Sequence, residues 1–397
     1  MDLPLKGIRV LSLDQYGAGP YCTMFLADMG ADVIKIENPA AGGDFARVTG
    51  PYFVGDKDSL YYQCLNLNKR SLTLDLKHPD GREVFHRLVK VSDAVVHNMR
   101  GDQPAKLGLE YKDLGKINPK IVCGHISAYG RDNERAGWPG YDYLMQAETG
   151  FMQVTGEPDG PPVRLGVSMV DFMTGTTMAY AVVSAILACK TAGAPGRDVD
   201  LSLMDLALHQ LSYIGSWYLN EGLVTGQISR GAHASVTPSQ LQISKDGWLF
   251  VMAQNPKFWD ILIDGIKRPD IARGPRFIDM AARLKNRPAL TAILDEVFQQ
   301  RTSDEWVELF KGRLPLAPVN TMDRALENPF LKQTRMIKTV PHPDKPDMRA
   351  LANPIKLDGE RVPSKHAPKL GQETDRILAE IGYSDADVAR LRKAGAV

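Results

Sequence analysis

The chain has 397 residues, with 48 Lys and Arg against 47 Asp and Glu, giving a formal charge of +1. So even a balance excludes a global field that would recruit nucleic acid or anionic lipid. With 44% hydrophobic and 24% charged residues the composition is globular rather than disordered, and the length calls for more than one core.

In chain order, Gly7 to Leu13 reads as a short strand broken by Tyr16-Gly17-Ala18-Gly19-Pro20, where Pro20 suits the first turn of a helix. That helix continues from Thr23 to Met29, Gly30 stops it, and Asp32 to Glu37 is a second strand, completing a βαβ unit. A helix over 81–90 leads to a third strand at Ala94 to His97, and a further strand follows at Ile121 to Ile126. Alternation of this kind predicts an α/β domain with a parallel, doubly wound sheet. Phe172 to Cys189 is uncharged and close to a membrane-spanning length, but Thr174-Gly175-Thr176-Thr177 and Ser184 interrupt it. It reads as a buried helix ending at Ala192-Gly193. Val199 to Leu203 is strand-like, and Met204 to Leu219 an apolar helix. Beyond Leu223 the pattern changes to a strand pair around Asp246-Gly247, followed by helices. Thr302 with Glu305 and Ser384 with Asp387 mark helix starts by capping boxes, and Leu314 to Asn320 reads as a linker.

The four cysteines match no zinc, haem or iron–sulfur spacing, and the eight histidines do not cluster. No metal site is expected. Scattered cysteines fit a reducing compartment, and Met1 to Arg9 has no apolar signal core, so a cytoplasmic location is expected. Gly17-x-Gly19 follows a strand and opens a helix, with Glu37 about 20 residues on, as in dinucleotide sites. Cys22 holds the third glycine position and Pro20 stiffens the turn, so the glycines instead allow some other ligand to approach the backbone. Asn66 to Ser71, followed by Leu74 to Lys77, carries cations suited to phosphate oxygens; a solvated strand rim has the same composition. Asp171, the lone carboxylate ahead of the long apolar helix, fits an N-cap. The less favoured reading of the residues alone is a nucleophile whose pKa the helix dipole lowers, keeping it anionic.

Several segments, in order, resemble the class III CoA-transferase (CaiB/BaiF) family: Leu5 to Leu11, Ala18-Gly19-Pro20, Leu26 to Glu37, Asn68-Lys69-Arg70-Ser71, Leu107-Gly108-Leu109, Gly140-Tyr141-Asp142, Thr155-Gly156 and Gly382-Tyr383-Ser384. The resemblance implies that Asp171 attacks an acyl-CoA thioester, giving a mixed anhydride and then an aspartyl-CoA thioester from which a second carboxylic acid takes CoA. By position, Gly17 and Ala18 would lie against the pantetheine end of CoA. Leu74 to Lys77, Asn98, Met99, Arg100 and Lys106 would meet its adenosine and phosphate end, and Tyr141 is a further CoA-binding candidate. Lys106 stands where relatives often have Arg, which keeps charge but loses the bidentate fork.

The resemblance also implies a Rossmann-like large domain built from both chain ends (1–222 and, with a linker, 321–397) with a smaller α+β domain inserted at 223–320, in an interlocked homodimer. CoA enters as part of the substrate, with no permanently bound cofactor. Partners are an acyl-CoA and a free carboxylic acid, without nucleic acid or membrane. Arg230, His233 and Ser235 are candidates for holding a second carboxylate on a dicarboxylic or hydroxy acid; as surface-loop residues they need no such role. Tyr141 replaces the His that racemases of this family use as acid/base, and a phenol of pKa about 10 is a poor base at neutral pH. An acyl-CoA racemase or isomerase, or a non-catalytic CoA-binding homologue, are the alternatives to the transferase.

Overall fold

The computed structural model describes residues 2–397. The chain divides into two compact units: Met1–Thr149 with Gly166–Ser212 and Phe330–Val397, and Gly150–Leu165 with Tyr213–Pro329. These limits differ from boundaries at 223 and 320, because 150–165 joins the second unit and that unit begins ten residues earlier.

The first unit is built on six parallel strands: β1 (Arg9–Leu13), β2 (Asp32–Glu37), β3 (Arg70–Thr73), β4 (Ala94–His97), β5 (Val122–Ser127) and β6 (Arg197–Ser202). Their order in the sheet is β3-β2-β1-β4-β5-β6, so direction of winding reverses at β1. Ligands of such sheets bind beyond the strand C-termini at this reversal. β3 corrects the sequence reading, which passed from β2 to β4 and treated 66–77 as a rim or a phosphate binder. It is an edge strand parallel to β2.

Period-two alternation sorts the strand side chains onto two faces. Leu11, Ile34, Leu72 and Val95 point to one core, where Val84, Phe85 and Leu88 of helix α2 (Pro79–Lys90) join Ile377, Leu378, Val388 and Leu391 from the C-terminal segment. Val10, Val33, Ala94, Val96 and Val122 point to the other core, filled by helices α1 (Ala18–Asp28) and α4 (Met169–Thr191). Helix α3 (Asp142–Glu148) precedes α4 in the chain, and α5 (Leu203–Gln210) follows β6.

Helix α4 is long and apolar enough to cross a bilayer. Here it is a core helix, with Val170, Met178, Val182, Ile186 and Cys189 buried. It meets α1 so closely that a Cβ on Gly175 would lie 2.6 Å from the carbonyl oxygen of Ala18. One helical reading shifts. The apolar helix expected over 204–219 breaks at Ser212, whose φ of 49° is left-handed, giving α5 and a separate helix Ser212–Glu221.

The second unit carries a three-stranded antiparallel sheet, β7 (Ser239–Ile243), β8 (Trp248–Met252) and β9 (Leu316–Pro318), under helices that bury Trp259, Leu262, Leu294, Phe298, Trp306 and Phe310. The supposed linker at 314–320 therefore contains a strand: Pro318 sits at its end opposite Leu249, where the edge of the sheet tolerates a missing donor. Both capping boxes form as expected, at Thr302 and at Ser384.

Candidate active site

The β1–α1 turn is fixed from below by a buried cage of charges. The ammonium of Lys35 donates to the carboxylate and the carbonyl of Asp14, each at 2.8 Å, and lies 2.9 Å from Asp44. Asp44 in turn accepts the Tyr16 N–H at 3.2 Å. The side-chain amide of Asn98 clamps Gln15 twice, accepting its N–H at 2.8 Å and donating to its carbonyl at 2.6 Å. Asp14 stays ionised despite its burial because Lys35 and Lys69 hold its pKa well down. Secured at 14, 15 and 16, with Tyr16 at a φ of 69°, the turn presents Gly17 to the start of α4.

There Gly17 meets Asp171. A Cβ built on Gly17 would lie 2.3 Å from Asp171 Oδ2, so only glycine lets the turn close on the carboxylate. Asp171 is not an N-cap. Ser168 holds that position, and Asp171 stands in the first helical turn with its own N–H donating to Asp142 Oδ2 at 3.0 Å. No donor from the described residues reaches its carboxylate oxygens. The expected lowering of its pKa by the helix dipole is also overturned. Burial first, and the Asp142 carboxylate second, push it up to about 7. Desolvation of a half-buried carboxylate beside a second one outweighs a terminal dipole whose partial charge falls off within a turn.

Asp171 is therefore a half-buried carboxylate that accepts no hydrogen bond from the described residues, as suits a nucleophile, and it is anionic above neutral pH. Replacing Asp142 by Asn removes the neighbouring charge but keeps an acceptor for the Asp171 N–H. Asp142→Asn is expected to move the acid limb of the pH–rate profile down by about one unit, with rate at pH 6 rising several-fold relative to the plateau. Superimposable profiles of variant and parent would refute the coupling.

Sequence reasoning named Tyr141 from the Gly-Tyr-Asp triplet but passed over its neighbour Asp142. Tyr141 is the exposed N-cap residue of α3, whereas Asp142 is buried and bonded both to Asp171 and to Gln146. It also missed the aromatic group beside the carboxylate. Tyr16 packs on Tyr61 with centroids 5.2 Å apart and on Phe45 at 6.0 Å, and burial together with the charges of Tyr16 and Asp171 raises the Tyr61 pKa. These residues are 110 to 155 positions from Asp171 and share no motif with it, so only the fold unites them.

At the switch point a cavity of about 150 Å³ opens between the strand ends, lined by Leu13, Ile36, Leu74, Lys77, Met99 and Leu107. Of the residues expected at CoA, Leu74, Lys77 and Met99 thus come together. Ala18 is buried in the first turn of α1. Arg100 and Lys106 both face Asp102, at 3.4 and 2.5 Å, which partly offsets their charge. The Asn68–Ser71 segment does not offer its cations to a ligand. Lys69 is buried, its ammonium on the carbonyls of Pro20 and Leu65 and on Asn66, and burial lowers its pKa to about 8. Arg70 pairs with Asp32 and Glu380. The motif braces α1 and the edge strand.

In the second unit, Arg230 pairs with Asp295 at 2.7 Å and lies over the Trp248 ring, so an acceptor carboxylate would have to displace Asp295. His233 stacks on Tyr213, centroids 5.6 Å apart, and its Nδ1 accepts the Ser235 N–H. Among the described residues no cluster of three or more metal-ligating acidic, His or Cys side chains occurs.

Residues 5–374 match the model of CoA-transferase family III. Succinyl-CoA:glutarate CoA-transferase of Homo sapiens is 33% identical over 99% of this chain and 90% of its own length. Succinyl-CoA:mesaconate CoA-transferase of Haloarcula marismortui is 33% identical over 95% of this chain and 96% of its own. A CAIB/BAIF family protein from Brucella suis superposes with a TM-score of 0.84 at 31% identity, over 96% of this chain and 100% of that one. A glycine-backed carboxylate at a helix start, beside a parallel sheet wound in this order and matched from end to end, makes this enzyme a member of the class III CoA-transferases, CoA-transferase family III.

Proposed function

We propose that this enzyme moves CoA from an acyl-CoA donor to a free carboxylic acid, with Asp171 as the nucleophile, and that it works as a cytoplasmic homodimer. The observation that carries the proposal is the bare Asp171 carboxylate against Gly17. An Asp171 oxygen attacks the thioester carbonyl, the C–S bond breaks, and CoA leaves as thiolate from a mixed anhydride. The thiolate attacks the aspartyl carbonyl of that anhydride, releasing the donor acid as its carboxylate and leaving an aspartyl-CoA thioester. The acceptor carboxylate then attacks this thioester, expelling the thiolate and forming a second anhydride. Attack of the thiolate on the acceptor's acyl carbon yields the new acyl-CoA and frees Asp171.

No proton is gained or lost over the cycle, so the scheme needs no general base. The first-turn amides of α1, at Ala18 and Gly19, are suited to the oxyanions that form at each attack. Leu74, Lys77 and Met99 would hold part of CoA at the strand ends. Relatives named for succinyl-CoA with glutarate or mesaconate favour dicarboxylic acids as donor and acceptor.

Intact-mass analysis after mixing with acyl-CoAs tests the scheme. Succinyl-CoA is expected to leave a CoA-sized adduct on Asp171 that one free acid discharges, and Asp171→Ala is expected to leave none. An enzyme that binds CoA but forms no adduct with any donor would defeat the proposal.

A further inference from the structure

A hydrogen-bond chain, buried at its two histidines, crosses the sheet from the cavity wall to Asp198 on β6. His97, at the C-terminal end of β4, and His125, within β5, are register partners, each with 1% of its surface exposed. His97 Nδ1 accepts the Met99 N–H at 3.3 Å, and His97 Nε2 lies 2.6 Å from His125 Nδ1. His125 Nε2 lies 2.7 Å from Asp198 Oδ1, which also accepts the Tyr111 N–H at 2.8 Å.

The inventory of donors allows one arrangement of protons. The Met99 amide can only donate, so Nδ1 of His97 is bare and a neutral His97 carries its proton on Nε2. That proton points at His125 Nδ1, which must accept. His125 then has its proton on Nε2, aimed at a carboxylate that can only accept. Every donor faces an acceptor, from Met99 to Asp198. A second proton on His97 would set Nδ1–H against the Met99 N–H. Burial, with His125 and Arg131 nearby, holds the His97 pKa well below its usual value, and the opposing pull of Asp14 and Asp198 does not reverse this.

Met99 is part of the cavity wall, and the residue before it, Asn98, clamps the turn that carries Gly17. We propose that Asp198 sets the tautomers of His125 and His97, and that the two histidines thereby fix the Met99 backbone for CoA binding. His97 and His125 are thus positioning residues that touch no reacting atom. The proposal rests on the reading that the cavity at the strand ends takes part of CoA.

Two measurements test it. In the enzyme labelled with ¹⁵N-histidine, with resonances assigned through His97→Gln and His125→Phe, both rings are expected to carry their proton on Nε2 with Nδ1 bare. A proton on Nδ1 of either ring overturns the proposal. By calorimetry with CoA as the probe, His125→Phe is expected to weaken binding about fivefold, with a matching rise in KM for acyl-CoA and kcat within about twofold. His97→Gln, which keeps a donor and an acceptor, is expected to bind CoA within about twofold of the parent, and His97→Leu to match His125→Phe. A folded His125→Phe enzyme that binds CoA as tightly as the parent overturns the positioning role alone. Loss of CoA binding to the cavity in the parent, shown by Lys77→Ala and Met99→Ala leaving its affinity unchanged, removes the cavity reading and the proposal together.

Discussion

Asp171→Asn is expected to abolish CoA transfer while making the protein more stable. Asn keeps the volume and the N–H to Asp142, but its amide oxygen is too weak a nucleophile to open a thioester, so turnover should fall by at least ~10³-fold. The stability gain follows from linkage. With a folded pKa of about 7 against an ordinary 3.8, the folded chain binds this proton more tightly than the unfolded one between those values. Stability contributed at this site is therefore lost as pH rises through that window, and the full cost is present above pH 7. Removing the charge recovers it. We expect roughly 2 kcal/mol at pH 8, below the full linkage value because the carboxylate is partly solvated, and less than half of that at pH 5. Urea unfolding of the two proteins at both pH values checks the sign. A variant that is equally stable at pH 8, or whose advantage grows toward pH 5, would show that the carboxylate is not held in an unfavourable site.

The second large effect is expected at Gly17. An alanine methyl there would sit 2.3 Å from Asp171 Oδ2, well inside contact distance. The turn cannot simply retreat, because Lys35, Asp44 and Asn98 hold Asp14, Tyr16 and Gln15. The carboxylate must move instead, and it would move away from the approach it offers a thioester. Gly17→Ala is expected to lower kcat by about 10²-fold, since a displacement near 1 Å at a reacting group costs that much. CoA affinity should change little. Equal losses in CoA affinity and kcat would mean that the turn, rather than the nucleophile, had been displaced.

The two outcomes separate chemistry from architecture. Asp171→Asn removes the attacking atom and leaves the turn intact, so it should still bind acyl-CoA but form no adduct. Gly17→Ala keeps the atom and misplaces it, so adduct formation should be slow but detectable at long times.

Local patterns were sufficient for much of the fold. Val10-Leu11, Val33-Ile34 and Val95-Val96 alternate between two apolar environments, which is what a sheet covered on both faces demands, and Gly30 and Pro20 punctuate the first βαβ unit in short range. The capping boxes at Thr302 and Ser384 are four-residue events and need no distant partner. Strand β3 was less legible because two of its four residues are Arg70 and Ser71, whose polarity is satisfied by Asp32, Glu380 and Glu37 on other segments. The strand at 316–318 was hidden by its prolines, tolerable only because it pairs at a sheet edge.

The α/β class, the family, the glycine turn and the identity of the one carboxylate at the start of α4 were legible in the residues. Each is written in contiguous residues or in motifs that recur in order. The tertiary structure alone decided the electrostatics: that Asp171 is raised rather than lowered, that Lys69 and Arg70 brace rather than bind, and that Asp142, Tyr16 and Tyr61 surround the nucleophile. The physical reason is common to all three. Desolvation and charge pairing depend on what lies within a few ångströms in space, and those neighbours come from segments as far as 155 residues apart.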